Sequence, residues 1–222
     1  MSAFFALIRR EIRLYARGKA EMATGLAFAF LFITLFPLAL GPAPEILKTL
    51  APALLSLAVL FTQFLGIERL YADDLEEGSL DLITLSGLPL AVYALCKTLL
   101  RWGAQTLPLL LVSPILAIML GTEFEAIPSI LAALTLMSLC IALAGAGGAA
   151  LVLGARRGFL LPLLLVPLCA PALIFCASLA ESGLSAEAGK QAALFLGALF
   201  FLYLCLFPPL IAAALRSAVE AS

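Results

Sequence analysis

Long runs without a charged side chain alternate with short polar breaks along this chain. Six runs, at 22–44, 49–67, 102–122, 126–155, 158–180 and 191–215, contain no Asp, Glu, Lys or Arg. A helix needs about 20 apolar residues to cross a hydrocarbon core of ~30 Å, so the pattern predicts six spans. A further apolar stretch, 82–96, is too short to cross and carries Ser86, Gly87 and Pro89; it is expected at the interface. Residues 1–20 follow another period. Phe5, Ile8, Ile12 and Tyr15 recur at spacings of three and four, while Arg9, Arg13 and Arg17 form a stripe four apart. This predicts an amphipathic helix along the membrane surface, its arginines toward anionic headgroups or a soluble partner.

Loop charge tests the span count independently. With the N-terminus in the cytoplasm, eleven of the 13 basic residues fall inside: Arg9, Arg10, Arg13, Arg17, Lys19, Arg69, Lys97, Arg101, Arg156, Arg157 and Arg216. Only Lys48 and Lys190 fall outside. A seventh span at 82–96 would abolish that bias, so six spans with both termini cytoplasmic is the expected topology. The first apolar run follows a basic segment without a small-residue cleavage site, and a retained span is expected rather than a removed signal peptide. The outer loops, 42–48, 121–127 and 181–190, are too short for a folded domain.

Composition agrees. The chain of 222 residues is 64% hydrophobic and 12% charged, where a soluble domain carries roughly 25% charge. A net charge of −1 gives a nucleic-acid partner no electrostatic support. The five cysteines, Cys96, Cys140, Cys169, Cys176 and Cys205, lie in or beside apolar runs without metal-ligand spacing and read as packing residues. There is no histidine, no phosphate-binding GxxxxGK[ST] loop and no GxSxG or HExxH motif, so the chain supplies neither a nucleotide site nor a recognised catalytic set. The spans carry no ionisable group of the kind through which ion-coupled transporters bind their coupling ion. Movement would draw its energy from elsewhere.

Two apolar regions have special texture. Residues 144–158, AGAGGAALVLGARRG, place Gly145 with Ala149 and Gly154 with Gly158 four apart, which permits close helix packing or a face for a second copy or substrate. Pro162, Pro167 and Pro171 then free backbone groups and permit bending.

The polar exception is 68–90, ERLYADDLEEGSLDLITLSGLPL. Five of the 14 acidic residues, Asp73, Asp74, Glu76, Glu77 and Asp81, crowd into nine of its positions. The acids lack the alternate oxygen ligands of a calcium loop. They read better as a short interfacial helix in which Asp73 and Asp74 occupy an N-terminal turn that favours negative charge. Leu75, Leu80 and Leu82 around Gly78 add apolar teeth. Such a segment suits docking into a groove on a cytoplasmic partner, the leucines for packing and the acids for register.

FITLFPLALGP (32–42), IERLYADDLEEGSLDLITLSGLPL (67–90) and GARRGFLLPLLLVPLCAPALIF (154–175) together resemble the heme exporter B (CcmB) family over essentially the whole length. Family members usually show acid-Gly-Thr-Leu-Glu where this chain has Glu77-Gly78-Ser79-Leu80-Asp81. The resemblance implies an all-α membrane subunit of the ABC-2 exporter class: a single transmembrane domain over 1–222, a surface N-terminal helix, six spans and a coupling helix at 68–90 between spans two and three. It implies contact through Asp73, Asp74, Leu75, Glu76, Glu77, Gly78, Leu80 and Asp81, with Arg9, Arg13 and Arg17 at the partner or the membrane surface. It further implies a cytoplasmic ATPase, CcmA, which holds ATP and Mg, the membrane subunits CcmC and CcmD, the periplasmic heme chaperone CcmE, a second copy of the chain, and a location in the bacterial inner membrane. Heme would be the substrate of the complex, with no cofactor held by this chain and no catalysis of its own. A metal-dependent membrane enzyme and a structural scaffold are the alternatives.

Overall fold

The computed structural model describes residues 2–17, 19–41, 43–153 and 160–221, with the side chains of 2–4, 16, 17, 19–21, 160, 162 and 221 outside that description. Its elements are α1 (Ser2–Arg17), α2 (Lys19–Leu40), α3 (Pro44–Phe64), α4 (Arg69–Glu76), α5 (Ser79–Leu85), α6 (Leu90–Met119), α7 (Ile127–Val152), α8 (Leu160–Ser182) and α9 (Glu187–Ala221), with a 3-10 turn at Phe124–Ala126. No strand occurs among the described residues, and six of the described helices are long and apolar enough to cross a membrane. The all-α membrane fold expected from the sequence is the fold the chain adopts.

The core forms around α7, which packs against α3, α6, α8 and α9. Every residue from Cys140 to Ala150 is buried. The glycines there allow the neighbours to approach: a methyl added at Gly147 would come within 2.2 Å of Phe207 Cδ1 on α9, and one at Gly148 within 2.8 Å of Leu165 Cδ2 on α8. One at Gly145 would come within 3.3 Å of Ile67 Cδ1. The small-residue surface is therefore consumed inside the bundle, at least as far as residue 153; Gly154, Arg156, Arg157 and Gly158 lie outside the described residues. Helix α2 is peripheral, with Leu31, Leu35 and Leu38 exposed. It is held to α3 by Phe28 and Phe32 set edge-on to Phe61 at 6.4 and 5.8 Å.

Two sequence expectations change in detail. The stretch 82–96 is not one interfacial segment: its start belongs to α5, and from Leu90 it is the first part of α6. That helix has 30 residues, about 45 Å at 1.5 Å per residue, half as long again as a hydrocarbon core requires. Hydropathy alone ends the apolar run at Lys97 and Arg101, whereas both side chains find partners inside the protein and the helix continues through them. Nor is the acidic segment one helix. It is a hairpin of α4 and α5 turned at Gly78, whose φ of +69° is a left-handed value that a side chain would strain. Because α4 starts at Arg69 and has no acid in its first turn, Asp73 and Asp74 lie beyond the N-terminal turn expected for them.

Two crossings, α2 and α3, return the chain to the end where it began, so α1 and the α4–α5 hairpin share one end of the bundle. At the other end Lys48 Nζ meets Glu123 Oε1 at 2.5 Å, and the Leu184 amide donates to Ser129 Oγ at 3.2 Å.

Gly147→Ala is expected to destabilise the chain by about 1–3 kcal/mol through overpacking. Phe207→Leu in the same chain should recover part of the loss, read by thermal unfolding in detergent.

Candidate functional site

The α4–α5 hairpin is built out from the end of α3. A helix leaves its last carbonyls unsatisfied, and α6 supplies the donors: Gln105 Nε2 reaches Thr62 O at 2.7 Å and Arg101 Nη2 reaches Leu65 O at 2.7 Å. Gly66, at φ +68°, turns the chain into α4. Along α4, Leu70, Tyr71 and Asp74 fall at i, i+1 and i+4 and are all buried, while Asp73, Glu76 and Glu77 face outward. In α5, Leu80 is fully buried whereas Asp81, Leu82 and Leu85 are exposed, the last two at 69% and 82%.

Asp74, only 2% exposed, is the centre of the site. Its Oδ1 accepts from Arg10 Nη2 on α1 at 2.8 Å and from Ser79 Oγ at 2.9 Å. Its Oδ2 accepts from the Tyr93 hydroxyl and the Lys97 ammonium on α6. Four donors thus fill the four acceptor positions of one carboxylate. A second buried acid, Glu11, takes Arg10 Nη1 at 3.0 Å. Two cations and two carboxylates therefore balance within the cluster, as burial of charge requires. Tyr71 and Thr98 hydroxyls, 3.4 Å apart, extend the polar layer between α4 and α6.

Electrostatics follow from that packing. Asp74 lies beyond the membrane-crossing part of α3. Burial alone would raise its carboxyl, but the Lys97 charge and the hydrogen bonds from Lys97, Tyr93 and Arg10 outweigh it and hold the group well below the usual carboxylate range. The carboxylate's contribution is therefore present across neutral pH and lost only as pH falls through the depressed value. Glu11 moves the other way: burial lifts it, and Lys97 and Arg10 only partly counter.

The sequence-predicted site residues divide accordingly. Asp73, Glu76, Glu77 and Asp81 form an exposed acidic face, Gly78 makes the turn, and Leu75 packs partly against the core. Asp74 and Leu80 point inward and hold the hairpin down. Arg9 and Arg13 are exposed on α1, and the side chain of Arg17 lies outside the described residues. Phe5 and Ile12 are exposed on an adjoining face at 63% and 51%, as lipid contact requires. Sequence reasoning missed Arg10, Glu11, Tyr93 and Lys97 as a group, and it missed the α6 stripe Tyr93, Lys97, Arg101 and Gln105, whose four-residue spacing places all four toward the α3–α4 connection. Among the described residues no group of three or more His, Cys, Asp or Glu is placed to hold a metal ion. Between α1 and α5 lies an open groove of about 310 Å³ lined by Leu7, Arg10, Ser79, Leu82, Ile83 and Leu88, among others.

These features define a six-span, all-α membrane protein with a surface helix and an acid-faced hairpin locked together at one end. The chain belongs to the CcmB protein family, whose model matches residues 2–218. It is 41% identical over 219 residues to Heme exporter protein B of Haemophilus influenzae, covering 98% of this chain and 99% of that one. The protein of the same name from Pseudomonas aeruginosa is 41% identical over 219 residues, with 98% of each chain covered. That of Paracoccus denitrificans is 37% identical over 212 residues, covering 95% and 97%.

Lys97→Met leaves Asp74 short of a cation in a buried site and is expected to cost about 3–5 kcal/mol. Lys97→Met with Asp74→Leu should cost less than the sum of the two single changes, a non-additivity readable by thermal unfolding in detergent.

Proposed function

We propose that this chain is the membrane permease subunit of an ATP-driven complex for heme export in c-type cytochrome biogenesis, located in the bacterial inner membrane with both termini in the cytoplasm. Family membership and the names of the relatives support heme export. The observation that carries the coupling role is the α4–α5 hairpin: four acids and two exposed leucines face outward, while its inner side is fastened by a buried ion cluster to α1 and to the long helix α6. An element that presents a docking face and is rigidly joined to a span can pass a push into the membrane. An acid-rich loop without such fastening would move alone.

In this reading the ATPase subunit CcmA binds ATP and Mg and docks on Asp73, Glu76, Glu77, Asp81, Leu82 and Leu85. Arg9, Arg13 and Arg17 face the partner or anionic headgroups. A second copy of the chain pairs with the first, CcmC and CcmD complete the membrane part, and the heme chaperone CcmE receives the cargo on the periplasmic side. This subunit performs no catalysis; its work is mechanical.

Reversing Asp73, Glu76 and Glu77 to lysine together is expected to abolish co-purification of the ATPase while the chain still inserts and unfolds at its usual temperature, because these side chains are exposed. Retained co-purification would end the docking assignment. Leu85→Cys, in a chain whose native cysteines are replaced, should react with a membrane-impermeant maleimide only in inside-out vesicles. Labelling in right-side-out spheroplasts instead would overturn the topology.

A further inference from the structure

Arg10 is the α1 member of the ion cluster on which the coupling reading rests, and its own task within that cluster can be separated from the others. Its guanidinium lies 2.8 Å from the buried Oδ1 of Asp74, 3.0 Å from the buried Glu11, 3.3 Å from Ser79 Oγ and 3.9 Å from Oε2 of the exposed Glu77. Among the described basic residues it alone pairs with both a buried and an exposed acid of the hairpin. It is also the one polar side chain of α1 with a described hydrogen bond to the hairpin. The remaining described faces of α1 are otherwise engaged: Phe5 and Ile12 are exposed toward lipid, Leu7 and Glu11 are buried, and Arg9 and Arg13 are exposed.

We infer that Arg10 is the positioning residue of the coupling device: it fastens α1 to the α4–α5 hairpin, so that a docked partner moves the surface helix, the hairpin and the first part of α6 as one body. The inference rests on the reading of the hairpin as the docking element, and it assigns α1 a role beyond that of a membrane anchor. The geometry separates two tasks. Lys97, Tyr93 and Ser79 satisfy three of the four acceptor positions of Asp74 without Arg10, and the first two of them hold the hairpin to α6. Arg10, whose side chain is 35% exposed, adds α1 to that pair. Its bidentate fork also matters. One nitrogen, Nη1, serves Glu11 and the other, Nη2, serves Asp74, so a lysine in its place can hold one acid at full strength but not both.

The consequence is that Arg10→Gln should leave the chain folded and the ATPase bound, yet loosen α1. Two readouts test this. In the full-length chain in lipid nanodiscs, with Cys96 and Cys205 replaced by serine, spin labels at Arg9→Cys and Leu85→Cys report the α1–α5 distance by pulsed electron resonance. A single narrow distribution is expected for the parent, at least twofold broadening for Arg10→Gln, and an intermediate width for Arg10→Lys. In the assembled complex, without labels, Arg10→Gln is expected to keep the ATPase co-purified and to lower heme exported per ATP hydrolysed threefold or more, with partial recovery in Arg10→Lys. An unchanged distance distribution, an unchanged heme-to-ATP ratio, or loss of the ATPase would each overturn the assignment. If Arg10→Gln does not insert, Arg10→Lys takes its place in both measurements: a distance distribution broader than the parent's and a lowered heme-to-ATP ratio are expected, and parent values in either would overturn the assignment. The distance measurement needs no ATPase. Failure of the docking reading, shown by retained co-purification after reversal of the exposed acids, is therefore distinguishable from failure of the joint.

Discussion

A carboxylate taken out of water must be neutralised where it lies, and Asp74 imposes that requirement on three separate parts of the chain. Its own hairpin can offer a single hydroxyl, from Ser79. The cations have to come from elsewhere, and they come from α1 as Arg10 and from α6 as Lys97. The placement of the surface helix, the inward face of α4 and the extension of α6 beyond membrane length are thus three outcomes of one charge. Hydrophobic contacts at the same junction, such as the Tyr71 ring 6.2 Å from that of Tyr93 on α6, supply affinity without direction. A leucine packs nearly as well one turn away, whereas a carboxylate with four donors fits one register. A buried ion cluster is weak as a source of net stability, since an apolar replacement of similar shape does as well or better. Here it specifies an arrangement, which is what an element that transmits movement needs.

How much of this is legible in the sequence depends on whether a residue obeys the local period or breaks it. The spans are legible because lipid demands unbroken apolar runs and the basic residues crowd to one side. The acidic interruption stands out for the converse reason. What escapes is the inward orientation of three charged residues lying on otherwise apolar stripes. Glu11 is four residues from the buried Leu7, Asp74 four from the buried Leu70, and Lys97 four from the buried Tyr93. Along the sequence each groups with its charged neighbours rather than with the face it occupies. On a helix the face decides, since a charge within a buried stripe needs a buried partner. Three such charges on three elements at one end of a bundle are a signal that they are partners of one another. The extension of α6 is hidden by the same residues, because a hydropathy window ends at Lys97 and Arg101 while the helix does not.

The glycine-rich stretch of α7 bears on what can move. Gly145, Gly147 and Gly148 bring Ile67, Phe207 and Leu165 to within contact of its backbone. These contacts join the α3–α4 connection, α9 and α8 into one packed body with no slack, since interiors at this density do not deform continuously. By contrast α2 buries Ala29 and Ile33 and sets Phe28 and Phe32 against Phe61, while Leu31, Leu35 and Leu38 face outward. The faces left for lipid or for a second copy are therefore on α2 and the outer sides of α6, α8 and α9, and not on the glycine surface.

Within α6 the two halves differ in how firmly they are held. From Tyr93 to Gln105 the helix is bonded at every fourth residue to the hairpin or to the end of α3, so this half must follow the hairpin. Beyond it come Pro108 and Pro114, which lack the amide hydrogens that would close the ladder. The carbonyl of Leu110, left open by Pro114, is taken instead by the Ser113 hydroxyl at 2.9 Å. That bond satisfies the buried oxygen, yet a hydroxyl turns on a single torsion and restrains the helix less than a backbone hydrogen bond would. Under the proposed coupling role, a push on the hairpin would be carried stiffly to Gln105 and absorbed as curvature between Pro108 and Pro114. Those prolines lie in the charge-free part of the helix, so such curvature would need no charged group within the hydrocarbon to produce it.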